Sequence, residues 1–280
     1  MVNTGDDTTL HGLHISPDLD TVTYTLAGLS DDERGWGLRE ETWTVMDGLR
    51  RLGGESWFLL GDRDLATHLY RTERLSHGAS LSTVTTEIAA ALGVEARLVP
   101  MSDDPVRTYL TVAEGPEIPF QEYFVRRGHA VPVESVRFAG AEAAAPAPGV
   151  LDAIASAETV LVCPSNPVVS IGPILAVPGI ADALVERRCD VVAVSPIVAG
   201  AALRGPAARL LAELGGESSV VGVARRYEPF VGTLVIDTAD AARQADVEAC
   251  GVRCVVTDTI MHTPELAAEL ASAVMAANSA

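Results

Sequence analysis

Aromatic and basic side chains are both scarce in this sequence. Phe, Trp and Tyr make up only 5% of its 280 residues, although 48% are hydrophobic, so aliphatic side chains must fill the interior. Such an interior suits parallel sheets covered by helices, whose strands are apolar on both faces. Lys and Arg number 20 against 38 Asp and Glu, which leaves a net charge of −18. Most of this surface would repel a phosphate backbone, which excludes a general nucleic-acid binder.

This acidity has two interpretations. An acidic surface keeps a protein in solution and needs no further function. A small anionic substrate could still bind where a cation is supplied locally, and a divalent metal held by aspartates is a natural source.

Cysteines are few, and long apolar runs are missing. The four cysteines form no C-x-x-C pair, so we expect free thiols in a reducing compartment. No stretch of about 18 apolar residues predicts a membrane span, and residues 1–7 lack the basic and apolar character of a signal peptide. We therefore expect a cytoplasmic protein without a membrane segment.

Familiar catalytic signatures are absent as well. Neither G-x-S-x-G nor H-E-x-x-H occurs, which gives hydrolase chemistry little support. The fingerprint G-x-G-x-x-G is also missing, which weakens the alternative of an NAD-dependent dehydrogenase.

The sequence does contain a regular alternation from residue 150 onward. Helical patterns alternate there with short apolar runs at 159–162, 190–194, 219–224 and 254–257. This alternation predicts a doubly wound, mostly parallel α/β sheet, with ligands beyond the carboxyl ends of the strands. Before it come three amphipathic helical patterns and then strand-like runs, among them QEYFVRRG, and an Ala/Pro-rich stretch at 139–149 marks a boundary.

Acidic side chains crowd the start of the sequence. They are Asp6, Asp7, Asp18 and Asp20, with His11 and His14 between them. Carboxylates at this density can hold Mg²⁺, which neutralises phosphate oxygens, while one carboxylate takes the proton of an attacking hydroxyl. Aspartates also cap helices and turns, so a phosphoryl-type transfer site and a structural role both stay open.

Two further segments combine rings and charges. WGLREETW offers Trp36 for stacking on a flat heterocycle and Arg39 for a bidentate contact. GDRDLATH contributes Asp62, Asp64 and His68. Core packing, surface ion pairing and helix capping are the structural alternatives for these residues.

Polar loops also follow the apolar runs of the second half. In CPSNPVVSIGP, backbone N–H groups could cradle a phosphate and Asn166 could read a base edge, or the segment is simply a rigid turn between prolines. Arg204 and Asp258 follow later runs, Arg204 as a phosphate or dimer contact and Asp258 as a ligand contact or helix cap.

These segments together resemble the CofD-type 2-phospho-L-lactate transferases. The resemblance rests on NTGDDTTLHGLHISPDLDTVTYTLAG, WGLREETW, LGDRDLATHLYRTERL, MSDDPVRT, FQEYFVRR, CPSNPVVSIGPIL, VSPIVAGAALRGPA and VVTDT. They follow one another through nearly the whole chain, which makes the set far more specific than any one member.

The resemblance implies a homodimer with a Rossmann-like core, formed by 1–29 and 150–280, and an inserted helical and β subdomain at 30–149. It implies a Mg²⁺-dependent transferase of coenzyme F-420 biosynthesis. The donor is lactyl or enolpyruvyl phosphate linked to guanosine diphosphate, and the acceptor is the deazaflavin Fo (7,8-didemethyl-8-hydroxy-5-deazariboflavin). The ribityl hydroxyl of Fo attacks the phosphorus beside the acid group, GMP leaves, and F-420-0 or its dehydro form results.

The resemblance also implies roles for matching positions. Asp7, Asp18 and Asp20 would be catalytic, with Asp7 and Asp18 as metal ligands. The Fo side would comprise Asp7, His11, Trp36, Arg39, Asp62, Asp64 and His68. The nucleotide side would comprise Ser165, Asn166, Pro167, Ser170, Gly172 and Asp258.

The sequence departs from the family at its start. Family members have a strand, a glycine-rich diphosphate loop and a helix before the NTGDD loop, a unit of about 35–45 residues. We therefore expect either a late start assignment or a shortened chain. The alternative function is a non-catalytic nucleotide-sugar-binding regulator of the same fold, although that class has an Asp-Asp-Gly-Gly-Ser-Ser run where this chain has GDDTTLHG and lacks WGLREETW and GDRD.

Overall fold

The computed structural model describes residues 1–113, 115–203 and 205–279. The chain divides into two compact units. The first unit comprises Met1–Val131 and Val136–Val150, and the second comprises Pro132–Ser135 and Leu151–Ala280. The assignment of 1–29 and 150–280 to one core, with 30–149 inserted, stays a prediction.

Short strands and helices alternate along the chain. The strands are β1 (Thr8–Leu10), β2 (Leu13–Ile15), β3 (Arg107–Val112), β4 (Glu117–Pro119), β5 (Val133–Ala139), β6 (Val160–Val162), β7 (Val191–Val194), β8 (Ile197–Val198), β9 (Ala201–Ala202), β10 (Thr233–Asp237) and β11 (Arg253–Thr257). The α-helices are α1 (Pro17–Leu26), α2 (Thr44–Arg51), α3 (Asp64–Ser76), α4 (Leu81–Ala91), α5 (Val150–Ser156), α6 (Ile171–Ala176), α7 (Ile180–Glu186), α8 (Ala207–Glu213), α9 (Val220–Tyr227), α10 (Gln244–Glu248) and α11 (Pro264–Ser279). No helix in the described part of the chain is long and apolar enough to cross a membrane.

The second unit is built on a parallel sheet with the strand order β11-β10-β7-β6. All residues of β7 and β10 are buried, as expected for central strands covered on both faces. Leu270 and Val274 of α11 pack against Val192, Val194 and Val235 of the sheet. The predicted α/β class, with parallel strands between helices, is confirmed.

Two runs that the sequence indicates as strands are helical. Residues 219–224 begin α9, where the Ser219 hydroxyl accepts hydrogen bonds from the Val221 and Gly222 N–H groups and so caps the helix. The residues that α9 buries include Val220, Val223, Ala224 and Tyr227, which recur at helical spacing. QEYFVRRG forms a π-helical turn at Glu122–Arg126. Short β-branched runs cannot be distinguished from buried helix by apolar pattern alone.

The first unit begins with a tight hairpin. Strands β1 and β2 pair antiparallel, and the turn residues His11 and Gly12 have φ values of 53° and 78°. Positive φ at both positions is the signature of the two-residue hairpin turn that matches strand twist. Helix α1 follows directly, so the chain reverses direction and the two ends of the acidic segment come close together.

Candidate active site

The amide of Asn3 organises the first loop of the chain. Its side chain is buried, and its Oδ1 accepts a hydrogen bond from the Gly5 N–H at 2.8 Å. Its Nδ2 donates to Asp18 Oδ2 at 3.0 Å and to Asp6 Oδ1 at 3.4 Å. One amide therefore draws a loop carboxylate and a carboxylate of α1 together.

Asp7 has one oxygen that is held and one that is open. Its Oδ2 lies 3.0 Å from His14 Nε2 and accepts a hydrogen bond from Ser16 Oγ at 2.8 Å. Its Oδ1 is buried and has no hydrogen-bond partner in the described parts of the chain, although Asp7 is only 3% exposed. Buried polar atoms are normally paired, so the open Oδ1 indicates a place for a ligand.

His14 is itself held in position by α3. Its backbone N–H donates to the Thr72 hydroxyl at 2.8 Å, and that hydroxyl donates to the His68 carbonyl at 2.7 Å. Strand β2, which carries the imidazole that contacts Asp7, is therefore hydrogen-bonded to α3, which favours a fixed carboxylate.

Asp6, Asp7 and Asp18 form what we call the open acidic cluster. Burial raises the pKa of Asp6 well above its ordinary range, and the charges of Asp18 and Asp7 raise it further. Burial also raises the pKa of Asp18 to about 6, against the lowering effect of its hydrogen bond from Asn3. Negative charge in this cluster is poorly compensated, and a divalent cation would relieve it.

A pocket of about 230 Å³ opens beside this cluster. Its lining residues are Gly5, Asp6, Asp7, Thr8, Thr9, Arg107, Thr108, Tyr109, Pro119, Phe120 and Gln121. The Gln121 amide closes one side by donating to the Asp6 carbonyl at 3.1 Å and to Asp6 Oδ2 at 3.3 Å. The pocket thus combines two carboxylates, one guanidinium and aromatic rings.

A second group of acids lies on another face of α1. Residues two apart on a helix point in different directions, so Asp20 is turned away from Asp18. We call this group the paired acidic cluster, and its members are Asp20, Asp64, His68 and Arg71. The Arg71 guanidinium donates to both oxygens of Asp20, from Nη1 at 3.2 Å and from Nη2. Tyr24 donates to Asp64 Oδ1 at 2.5 Å.

The ligand atoms of the paired acidic cluster lie close enough together to bind a metal ion, but the cluster also contains a positive charge. Asp20, Asp64 and His68 hold ligand atoms within 4.8 Å of one another. Arg71 already lies among them, 2% exposed and 3.4 Å from His68 Nδ1. A permanent guanidinium would repel a divalent cation at this distance. Both clusters contain a buried atom without a hydrogen bond among the described residues, Asp7 Oδ1 in one and His68 Nε2 in the other. The open acidic cluster is the better fit for Mg²⁺, because its free atom is a carboxylate oxygen and none of its described hydrogen bonds comes from a guanidinium.

Asp62 and Glu41 each precede one helix and cap the start of the other. The Asp62 carboxylate accepts hydrogen bonds from the Thr44 and Val45 N–H groups at 2.9 and 3.0 Å, at the start of α2. The Glu41 carboxylate accepts from the Arg63 and Asp64 N–H groups at 2.8 and 2.9 Å, at the start of α3. The hydrogen bond from the Thr42 hydroxyl and those from the backbone lower the pKa of Asp62 to about 2. The predicted Fo-side residues Asp62 and Asp64 therefore have structural partners here.

The other predicted Fo-side residues lie apart from the open cluster's hydrogen bonds. His11 is exposed at the hairpin tip. Trp36 is 40% exposed, its ring centroid lies 6.0 Å from that of Trp43, and the Arg34 guanidinium lies over both rings. The Arg39 guanidinium donates to the Gly28 carbonyl, just beyond α1. Their role in binding Fo stays a prediction.

The predicted nucleotide-side residues are all in the second unit. Ser165, Asn166, Pro167, Ser170 and Gly172 follow β6 and lead into α6. The Asn166 Oδ1 accepts hydrogen bonds from the Val168 and Val169 N–H groups at 2.9 and 3.3 Å, so this side chain shapes its own loop.

Asp258 lies beyond β11, at the other edge of the sheet. Three strand spacings, about 14 Å, separate the two edges. Asp258 Oδ1 accepts a hydrogen bond from the Thr238 hydroxyl at 2.7 Å. The structure does not bring Asp258 beside Ser165 and Asn166, and Arg204 lies outside the described residues.

Three residues around the open acidic cluster, Asn3, Arg107 and Gln121, were not predicted from the sequence. Asp6 and His14 were noted within the acidic segment but were given no individual role. Arg107 and Gln121 are distant in sequence from the acidic segment, so only the fold reveals their proximity. His14 and Asp6 stand within that segment, and their alternation with the predicted acids was a signal that could have included them.

An α/β fold with a buried, under-compensated set of carboxylates beside a small pocket is an arrangement suited to an enzyme that acts on a small molecule. A family model described as "2-phospho-L-lactate transferase CofD" matches residues 1–275, and the chain belongs to this family. The predicted family and the predicted transferase activity are confirmed.

The chain is also similar to curated proteins and solved structures. It is 46% identical to a phosphoenolpyruvate transferase from Kitasatospora aureofaciens over 98% of this chain and 87% of that protein. It is 47% identical to one from Streptomyces griseus over 96% of this chain and 86% of that protein. A crystal structure of a UPF0052 family member from Bacillus halodurans matches with a TM-score of 0.60 and 13% identity, covering 98% of this chain and 89% of that one. This last likeness concerns the fold alone.

Proposed function

We propose that the protein transfers a lactyl or enolpyruvyl phosphate group from a guanosine diphosphate-linked donor to the terminal ribityl hydroxyl of Fo, in the biosynthesis of coenzyme F-420. The similar proteins named phosphoenolpyruvate transferase favour enolpyruvate as the acid. The observation that carries the proposal is the open Oδ1 of Asp7, a buried carboxylate oxygen free to meet a ligand.

The reaction exchanges one phosphorus–oxygen bond for another. The ribityl oxygen forms a bond to the donor phosphorus that bears the acid, and the bond from that phosphorus to the GMP oxygen breaks. The hydroxyl loses its proton and GMP leaves with the electron pair. In-line transfer of this kind depends on orientation and on neutralising charge at phosphate oxygens.

Asp7 is suited to two roles in this reaction. Its Oδ2 is fixed by His14 and Ser16, so Oδ1 points in a defined direction. That oxygen could accept the hydroxyl proton or bind a metal ion. Asp6 and Asp18 would complete the set of residues that holds Mg²⁺, which when bound neutralises phosphate oxygens.

The remaining predictions are part of this proposal. We expect the predicted residues to bind Fo and the nucleotide. We also expect the active protein to be a cytoplasmic homodimer. The low count of basic residues and the net charge of −18 support a small-molecule substrate rather than a nucleic acid.

The test is a transfer assay with defined substrates. Purified protein, Fo, Mg²⁺ and either the lactyl or the enolpyruvyl donor are incubated, and products are separated by mass. We expect F-420-0 or its dehydro form together with GMP in equal amounts, with transfer abolished by a chelator and restored by Mg²⁺.

One control makes the assay decisive. A chain extended upstream with the glycine-rich unit that the resemblance implies tests whether donor binding needs that unit. Absence of product from both forms with both donors would overturn the proposal. Binding of a nucleotide sugar without transfer would instead favour the regulator alternative.

A further inference from the structure

Two arginines share one face of the small sheet in the first unit, and only one of them is paired with an acid. In the sheet order β4-β3-β5, Arg107 begins β3 and Arg137 lies on β5. The Arg137 guanidinium lies over the ring of Tyr109, and Tyr109 and Arg107 are two apart on one strand, so all three share a face. Arg137 donates to both oxygens of Glu117, at 2.8 and 2.6 Å.

Arg107 has no carboxylate within ion-pair distance among the described residues, although its charge opposes the rise in the pKa of Asp6. Its guanidinium donates from Nη1 to the Val106 carbonyl at 2.8 Å. Its side chain lines the pocket that Asp6 and Asp7 also line. In a chain of net charge −18, a half-buried guanidinium that has no ion pair among the described residues and lines a pocket is suited to an anionic ligand.

The size of this pocket limits the ligand. A volume of about 230 Å³ is below the range of about 300–1,000 Å³ that is usual for sites of drug-sized ligands. A nucleoside diphosphate or a three-ring heterocycle with its ribityl chain would extend beyond this volume, through the open side of the pocket. The volume suits a phosphate ester of a three-carbon acid.

The lining residues would treat the two ends of such an ester differently. Asp6 and Asp7 would repel a free carboxylate, whereas Arg107, which lines the same pocket, offers paired N–H donors that match a carboxylate in a bidentate fashion. Phe120 and Tyr109 supply apolar surface for the carbon atoms between the ends.

We propose that Arg107 binds the carboxylate of the lactyl or enolpyruvyl phosphate group and makes the enzyme select donors that carry it. This inference rests on the proposed function, since it assigns one end of the donor to a pocket. It applies to both acids, because the carboxylate is common to them.

The test compares two donors on the same protein. One is the lactyl donor, and the other is the ethyl ester of guanosine diphosphate, which is the lactyl donor without its carboxylate. We expect the wild type to prefer the lactyl donor in kcat/KM by about 10- to 100-fold, the worth of a hydrogen-bonded ion pair. Arg107→Gln should remove most of this preference and leave the KM for Fo unchanged.

Matched variants separate recognition from folding. Arg137→Gln changes an arginine on the same sheet face that is already paired with Glu117, and it should keep the full preference. Arg107→Lys keeps the charge without the planar fork and should keep part of it. The measured quantity is a ratio for each variant, so a smaller folded fraction lowers both rates alike and leaves the ratio intact.

The outcomes distinguish the two proposals. Transfer by the wild type with a preference that Arg107→Gln does not reduce would overturn the role of Arg107 and leave the proposed function standing. Failure of the wild type to transfer either group, with no product from the enolpyruvyl donor either, would overturn the proposed function itself. An equal loss of preference in Arg137→Gln would show that the sheet face, and not Arg107, carries the selection.

Discussion

The aspartates of the two acidic clusters in the first unit differ in how fully their carboxylates are paired. In the paired acidic cluster, Asp20 is held by the Arg71 guanidinium and Asp64 by Tyr24. In the open acidic cluster, Asp6 and Asp18 share the single amide of Asn3, and Asp7 keeps one oxygen without a partner. Two aspartates of the short motif SPDLD thus belong to two different environments.

The difference shows that density of carboxylates does not by itself indicate a metal site. The paired cluster meets the spacing criterion for a metal, yet its charge is already balanced and its hydrogen bonds hold α1 against α3. The open cluster is loosely compensated, and desolvation raises the pKa values of Asp6 and Asp18. Unsatisfied charge, rather than proximity, separates a binding site from a structural network.

The largest expected effect concerns Asp7. Asp7→Asn keeps the size of the side chain but removes the charge of Oδ1, so we expect transfer activity to fall by about 10²- to 10⁴-fold. The folded structure should persist, since His14 and Ser16 can still meet an amide oxygen. The measurement is the initial rate of GMP release.

The control for Asp7 is an exposed acid of the same unit. Asp47→Asn alters a side chain that is 54% exposed and paired only with Arg50, and its rate should equal that of the wild type. If Asp7→Asn and Asp47→Asn were equally active, the open acidic cluster would not be the reaction site.

The next effect concerns stability and Arg71. Arg71→Met leaves Asp20 buried without its guanidinium, and we expect a loss of about 3–5 kcal/mol in the free energy of unfolding. Arg74→Met, on the same helix, breaks a half-exposed pair with Glu87 and should cost much less. Urea unfolding at neutral pH measures both. A smaller loss for Arg71→Met than for Arg74→Met would contradict a structural role for the paired cluster.

The smallest effect is a pH dependence of the metal-free protein. Burial raises the pKa of Asp18 to about 6 in the folded state, so its contribution is fully present below the unfolded value near 4 and is lost as pH rises through about 6. Unfolding in the presence of a chelator should therefore show wild-type stability falling between pH 4 and 7. Asp18→Asn should flatten this fall by on the order of 2 kcal/mol.

Asp64 should change the stability of the protein with pH in the opposite direction, measured in the same experiment. Burial acts to raise the pKa of Asp64, but the interactions with His68 and Tyr24 outweigh it and the net shift is downward. Its contribution is present above the unfolded value and is lost as pH falls below it. Asp64→Asn should thus lower stability at pH 7 and have less effect near pH 3. The same pH trend for both variants would refute the distinction between the clusters.

The sequence predicted the parallel α/β core because short apolar runs alternate with helical patterns, and the run that forms β7 is apolar at every residue, as a strand covered on both faces requires. It misassigned 219–224, since the capping hydroxyl of Ser219 decides between helix and strand there. The acidic segment was identified by density alone, but the separation of Asp18 from Asp20 depends on the rotation of α1. The positions of Gln121 and Arg107 beside Asp6 could not be predicted, because about 100 residues of chain separate them from it.

The exchange of caps between Glu41 and Asp62 links the formation of α2 to that of α3. Neither helix start has its donors satisfied until the loop before the other helix is in place, and a side chain at Gly61 would clash with the Glu41 carboxylate. The two loops therefore act as one cooperative element, which opens as a whole in local unfolding. Homologous enzymes could exchange such loops only as a pair, and a chimera that received one of them would carry two frayed helices instead of one.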